Sequence, residues 1–153
     1  LLLDIGPKAD GTIPAEQIAI LKEFGRWTQK HSTAIYGTIA GLPYGHYHGN
    51  TTLSKDSTVL NIFIPSPQGT DLKLSTATLP IYLKGIKNQA VSIQLLGSDT
   101  PIHYTEVGKI SWSTVPGTLF LEIPISEMDP MISVVQIQFK EPIQLYRGKG
   151  GFH

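Results

Sequence analysis

The sequence predicts a mainly β chain: an antiparallel two-sheet β-sandwich preceded by one strand and one helix. Three observations predict it. Fifteen Gly and eleven Pro with only 16 % charged residues favour short strands joined by turns over a helical protein. Eight or so short β-rich runs follow one another at close spacing, each bounded by Gly, Pro or Asn, the pattern of a sandwich. The first 38 residues read differently, as a buried strand, a tight loop and an amphipathic helix.

Residues 1–5, Leu-Leu-Leu-Asp-Ile, form a continuous apolar run ended by Gly6 and Pro7, as in a strand buried on both faces. The polar turn of residues 8–11 leads to Thr12, read as the N-cap, and to Pro14 in the first helical turn. From there to about Lys30, Ile18, Leu21, Phe24 and Trp27 recur at helical spacing. Residues 37–43 read as a linker. Strands are then expected over residues 57–64, 71–74, 81–83, 90–96 and 103–107, and again over 110–113, 118–123, 133–139 and 143–146. Gly108 is placed at the turn of a hairpin joining 103–107 to 110–113. In the run 133–139, Val135, Ile137 and Phe139 alternate with Gln136 and Gln138, a half-buried strand. The sandwich is expected over about residues 44–147.

Composition removes several function classes. Twelve basic residues balance twelve acidic ones and no basic run occurs, so neither nucleic acid nor an anionic membrane is expected as a partner. Cysteine is absent, which excludes disulfides, thiolate catalysis and Cys-type zinc sites. No apolar run approaches the roughly 18 to 20 residues of a membrane span. The chain opens on Leu inside an apolar run, as expected of a piece of something longer.

Residues 1–38 carry a specific resemblance. The strand LLLDIGP, the loop DGTIP, the helix motif LKEFGRW and the segment AIYGT together resemble the end of the catalytic barrel of glycoside hydrolase family 29, the α-L-fucosidases. Residues 39–153 resemble the C-terminal β-sandwich of that family more loosely. VSIQLLGSDTPIHY is similar to its middle, VVQIQF to its closing strand, and STVLNIFIPSPQGTDLKL to its run of strand, proline, loop and strand. A tryptophan often precedes that proline in the family, and Ile64 stands there in this chain.

The resemblance implies two parts. Residues 1–38 correspond to the last strand and helix of a (β/α)₈ barrel, and residues 39–153 to the C-terminal sandwich. The implied activity is retaining hydrolysis of terminal α-L-fucosyl linkages, with no cofactor. Retaining hydrolysis needs a nucleophilic carboxylate and an acid about 5 to 5.5 Å apart. In the family both precede the LLLDIGP segment, so no catalytic residue is carried onto this chain, and it is expected to be inactive alone. The missing N-terminal barrel is the implied partner, fucosylated glycans the implied ligands, and a bacterial periplasmic or secreted setting the implied location. Set free from that barrel, residues 1–30 carry an unpaired strand and an apolar helix face, so a homodimer through them is a further expectation.

The candidate substrate-binding residues are Asp4, Tyr44, His46, Tyr47 and His48. Asp4 falls at the C-terminal end of the implied barrel strand, where such sites are built. It either orients the pocket or anchors a loop. Tyr44, His46, Tyr47 and His48 form the densest polar-aromatic cluster in the chain. His46 and His48 share a face if the segment is extended, but no third ligand lies nearby and no metal is expected. Aromatic faces pack on the C–H faces of a pyranose while imidazoles hydrogen-bond its hydroxyls; the ordinary alternative is a packed interdomain junction. Trp112 and Tyr104, placed in a hairpin, read as core. Support of the barrel is therefore the first function, and a carbohydrate-binding module for fucosylated glycans the alternative.

Overall fold

A computed structural model describes residues 4–67 and 77–148. The chain divides into two compact units, Leu1–Ser32 and Thr33–His153.

The first unit is built on helix α1 (Ala15–Lys30). Glu16 in its first turn and Lys30 in its last suit the helix dipole, and Arg26 pairs with Glu23 one turn away. Pro14, not Thr12, is the N-cap residue. Both the backbone N and Oγ1 of Thr12 donate to Asp10 Oδ1, at 2.9 and 2.7 Å, which commits Thr12 to the preceding turn. Gly11 holds that turn at φ +82°. Asp4 and Ile5 lie outside any strand, and Leu1, Leu2 and Leu3 lie outside the described residues. The strand expected over residues 1–5 is therefore not formed at Asp4 and Ile5, because a strand exists only when a neighbour takes its backbone bonds.

After the short helix α2 (Ser32–Ile35), the described residues of the second unit form eight strands. These are β1 (Thr38–Ala40), β2 (Asn50–Ser54), β3 (Val59–Pro65), β4 (Thr78–Leu83), β5 (Ala90–Leu95), β6 (His103–Val107), β7 (Thr118–Pro124) and β8 (Ile132–Phe139). One sheet has the order β1-β2-β3-β8-β5 and the other β4-β7-β6, and every pairing is antiparallel. This is the expected two-sheet β-sandwich.

Period-two alternation sets the register. Leu60, Ile62 and Ile64 of β3 and Val135, Ile137 and Phe139 of β8 are buried, with Leu60 opposite Ile137 and Ile62 opposite Val135. From the other sheet, Ile81, Leu83, Leu121 and Ile123 enter the same core. Each such side chain contributes about 1.5 to 3 kcal/mol on burial. Pro80 is tolerated because β4 is an edge strand.

Several expectations are corrected. Residues 110–113 are not a strand: β6 pairs with β7, and residues 108–117 form the loop between them. Gly117 N donates to Glu106 Oε1 at 3.2 Å and closes that loop at its base. Trp112 is 87 % exposed at the loop and Tyr104 is exposed on β6, so neither belongs to the core. Residues 143–146 contribute only an isolated bridge from Leu145 to Ile86. The segment 37–43 is not a plain linker, since it contains β1, and β2 was not expected at all. The strand expected over 71–74 lies outside the described residues.

Candidate functional site

The cluster of residues 44–48 is a turn between β1 and β2, not an extended segment. Gly45 at φ +100° allows the reversal, and His46 N donates back to Pro43 O at 3.3 Å. The shared face expected for His46 and His48 is replaced by two separate engagements. The His48 ring meets Tyr44 edge to face, with centroids 5.0 Å apart and planes at 88°. The imidazole of His46 bonds the backbone beyond β4 instead.

His46 Nδ1 lies 2.7 Å from Lys84 O, and Lys84 N donates to His46 O at 2.9 Å. A carbonyl oxygen only accepts, so Nδ1 carries a proton and Nε2 is the nitrogen left to face a ligand. The two bonds clamp the turn to residues 84–85. Gly85 is required there: at φ +69° a Cβ would stand 2.9 Å from the His46 ring. Gly49 has the same role for Tyr47, whose ring edge would be 2.4 Å from an added Cβ.

Tyr47 packs against the core while Tyr44 is 88 % exposed. Burial pushes the Tyr47 phenol above its ordinary pKa. The turn thus has an anchored half, Tyr47 and His46, and a displayed half, Tyr44 and His48. Tyr44 presents an aromatic face, and His46 Nε2 is an imidazole nitrogen not used in the bond to Lys84. Together they suit a ligand with both C–H surface and hydroxyl groups. Asp4 belongs to the first unit and is exposed. Among the described residues, no group of three His, Cys, Asp or Glu could hold a metal ion.

Lys84, Gly85 and Gly49 were not picked out from the sequence. The two glycines were the available signal, because each sits where a ring crosses close over backbone.

A two-sheet antiparallel sandwich preceded by a helix is the class of domain defined here, and the solved structures it resembles are glycoside hydrolases. The family model for α-L-fucosidase matches residues 1–33. The fold is similar to α-L-fucosidase isoenzyme 1 from Paenibacillus thiaminolyticus, at 25 % identity and TM-score 0.66, over 92 % of this chain and 30 % of that one. It is similar to an α-L-fucosidase from Vibrio sp. strain EJY3 at 21 % identity and TM-score 0.74, over 95 % of this chain and 24 % of that one. A third relative is a family 29 α-L-fucosidase from Bacteroides thetaiotaomicron, trapped as a covalent intermediate. It shows 18 % identity and TM-score 0.60, over 90 % of this chain and 28 % of that one. No curated protein matches the sequence.

This chain is similar to α-L-fucosidases of glycoside hydrolase family 29, and a C-terminal piece of such an enzyme fits both findings. It spans less than a third of the length of these solved structures. No helix among the described residues is long and apolar enough to cross a membrane.

Proposed function

We propose that this chain serves as the supporting C-terminal part of a retaining α-L-fucosidase and is inactive by itself. The observation that carries the reading is the joint match: an α-L-fucosidase family model over residues 1–33, and a fucosidase-like fold over at least nine-tenths of the chain. In this reading residues 1–38 close a (β/α)₈ barrel and residues 39–153 dock against it. The nucleophile and acid lie in barrel strands that precede this segment. The covalent intermediate named for the Bacteroides relative agrees with retaining chemistry for the parent. A periplasmic or secreted bacterial enzyme acting on external glycans is the matching setting. The test is addition of a separately produced family 29 barrel truncated before its last strand. Recovered turnover on an aryl α-L-fucoside supports the reading, and no recovery despite complex formation counts against it.

One observation favours a second role for the sandwich, glycan binding. Tyr44 is 88 % exposed and meets the His48 ring edge to face, in a turn that the His46–Lys84 bonds clamp. An NMR titration with a fucosylated trisaccharide tests it. Shifts clustered on Tyr44, His46, Tyr47 and His48 support binding, and an unshifted spectrum at millimolar sugar leaves a purely structural domain.

A further inference from the structure

An open cleft of the second unit lies beside the segment that follows the His46–Lys84 clamp. It measures about 360 Å³ and is lined by Lys87, Asn88, Gln89, Lys140, Glu141 and Gln144, among others. Its walls are tied together. Asn88 Nδ2 donates to the carbonyls of Glu141 and Pro142 at 3.4 and 3.2 Å, and Asn88 Oδ1 accepts from Gln144 N at 2.5 Å. Lys87 N donates to Gln144 O at 2.9 Å, and Ile86 bridges Leu145. With Asn88 spent as a strut, Lys87, Lys140, Gln89 and Gln144 keep their side-chain donors available.

Charge is the informative feature. Neither Lys87 nor Lys140 is ion-paired among the described residues, although Glu141 lines the same cleft. The flanking segments 84–89 and 143–148 contain Lys84, Lys87 and Arg147 and no Asp or Glu. In a chain of zero net charge this is a local excess of unneutralised cations on a braced framework. A run of contacts leads from Lys87 at the cleft towards the turn. Lys87 Nζ lies 5.9 Å from the Tyr146 ring centroid, Tyr146 N donates to Gly85 O at 2.7 Å, and Gly85 packs under His46.

We propose that this cleft is a subsite for an anionic sugar residue, one carrying a sulfate ester or a carboxylate, adjoining the neutral sugar held at Tyr44. The inference rests on the glycan-binding reading above. Lys87 and Lys140 contact the anionic group, Gln89 and Gln144 donate to ring hydroxyls, and the Glu141 carboxylate weakens the site it borders. Two solvent-exposed charge contacts support a preference of about tenfold for the anionic over the neutral sugar, reduced by salt.

The experiment is an amide NMR titration of the 153-residue chain with fucose 4-sulfate, glucuronic acid, fucose and inorganic sulfate. The expected result is binding of at least one anionic sugar about tenfold tighter than fucose, with shifts over residues 87–91 and 140–144. Comparing the two anionic sugars tells whether the ester or any negative group is read. The preference should disappear in Lys87→Gln and Lys140→Gln and increase in Glu141→Gln. Three results each overturn the proposal: equal binding of fucose and both anionic sugars, inorganic sulfate binding as tightly as the sulfated sugar, or an unchanged preference in both lysine variants. If a neutral fucosylated trisaccharide still shifts residues 44–48 in such a case, the cleft proposal alone fails. If no glycan shifts any residue, the glycan-binding reading fails and the cleft with it.

Discussion

Gln136 Nε2 donates to Asn61 Oδ1 at 3.0 Å, joining β8 to β3 on the face of the sheet away from the core. The bond is one step in a chain running in a single direction. Gln94 donates to Gln136 at 3.1 Å, Asn61 donates to Thr52 at 3.2 Å, and Thr52 donates to Ala34 O at 2.7 Å. Four strands and the carbonyl of α2 are linked, so Asn61, 1 % exposed, is satisfied at both ends of its amide.

Replacing Asn61 by Ala removes both bonds from a buried position and leaves Gln136 to find another acceptor. The expected loss is about 2 kcal/mol of folding stability. Urea unfolding of the variant checks this, and a loss below about 0.5 kcal/mol would show that the amide chain is not coupled to the fold.

Tyr47 sets an alkaline limit. Burial raises its folded pKa above the ordinary value of 10.0, so the folded state holds the phenolic proton more tightly than the unfolded chain. The stabilisation is full below pH 10 and is lost as pH rises through the folded pKa. Tyr47→Phe should flatten the alkaline decline in melting temperature above pH 10. An identical decline in both proteins would assign it to other groups.

Asp56 sets an acid limit with the opposite sign. Its carboxylate accepts from Ser54 Oγ at 2.6 Å, Thr58 N at 3.2 Å and Thr58 Oγ1 at 2.9 Å, and these bonds lower its pKa below 3.8. Its contribution is present above that value and disappears as pH falls through the lowered pKa. Asp56→Ala should therefore be less stable than the parent at pH 7, with the gap closing towards pH 2. A gap of constant size across that range would contradict the account.

Helix α1 buries none of its residues, and Ile18, Ile20 and Phe24 are 37, 64 and 43 % exposed. The proposed self-association through residues 1–30 predicts a dimer at tens of micromolar in multi-angle light scattering. Phe24→Glu should shift it to monomer. A parent chain that stays monomeric across that concentration range removes the proposal.

Much of the sandwich was legible because its central strands obey a simple rule. Leu60, Ile62 and Ile64 of β3 and Val135, Ile137 and Phe139 of β8 alternate onto the core side, and both runs were placed to within two residues. Strands without a hydrophobic period were not legible. β2 is Asn-Thr-Thr-Leu-Ser, with only Leu53 buried, so it carries almost no hydrophobic period. The β6 hairpin was misjudged because Ile110 and Trp112 mimic strand alternation while lying exposed in a loop. For the candidate site, the aromatic turn was visible as a composition cluster. Its partner was not: the bond from His46 to Lys84 spans 38 residues and depends on how β4 ends.

The measurement that tests the central claim most directly is hydrolysis of an aryl α-L-fucoside by this chain alone, at high protein concentration and over hours. The account predicts no turnover above the buffer blank, since a retaining glycosidase needs two carboxyls across one bond and both are assigned to the barrel. Turnover that copurifies with the chain and is abolished by Asp4→Asn or by substitution of another of its own carboxylates would contradict it.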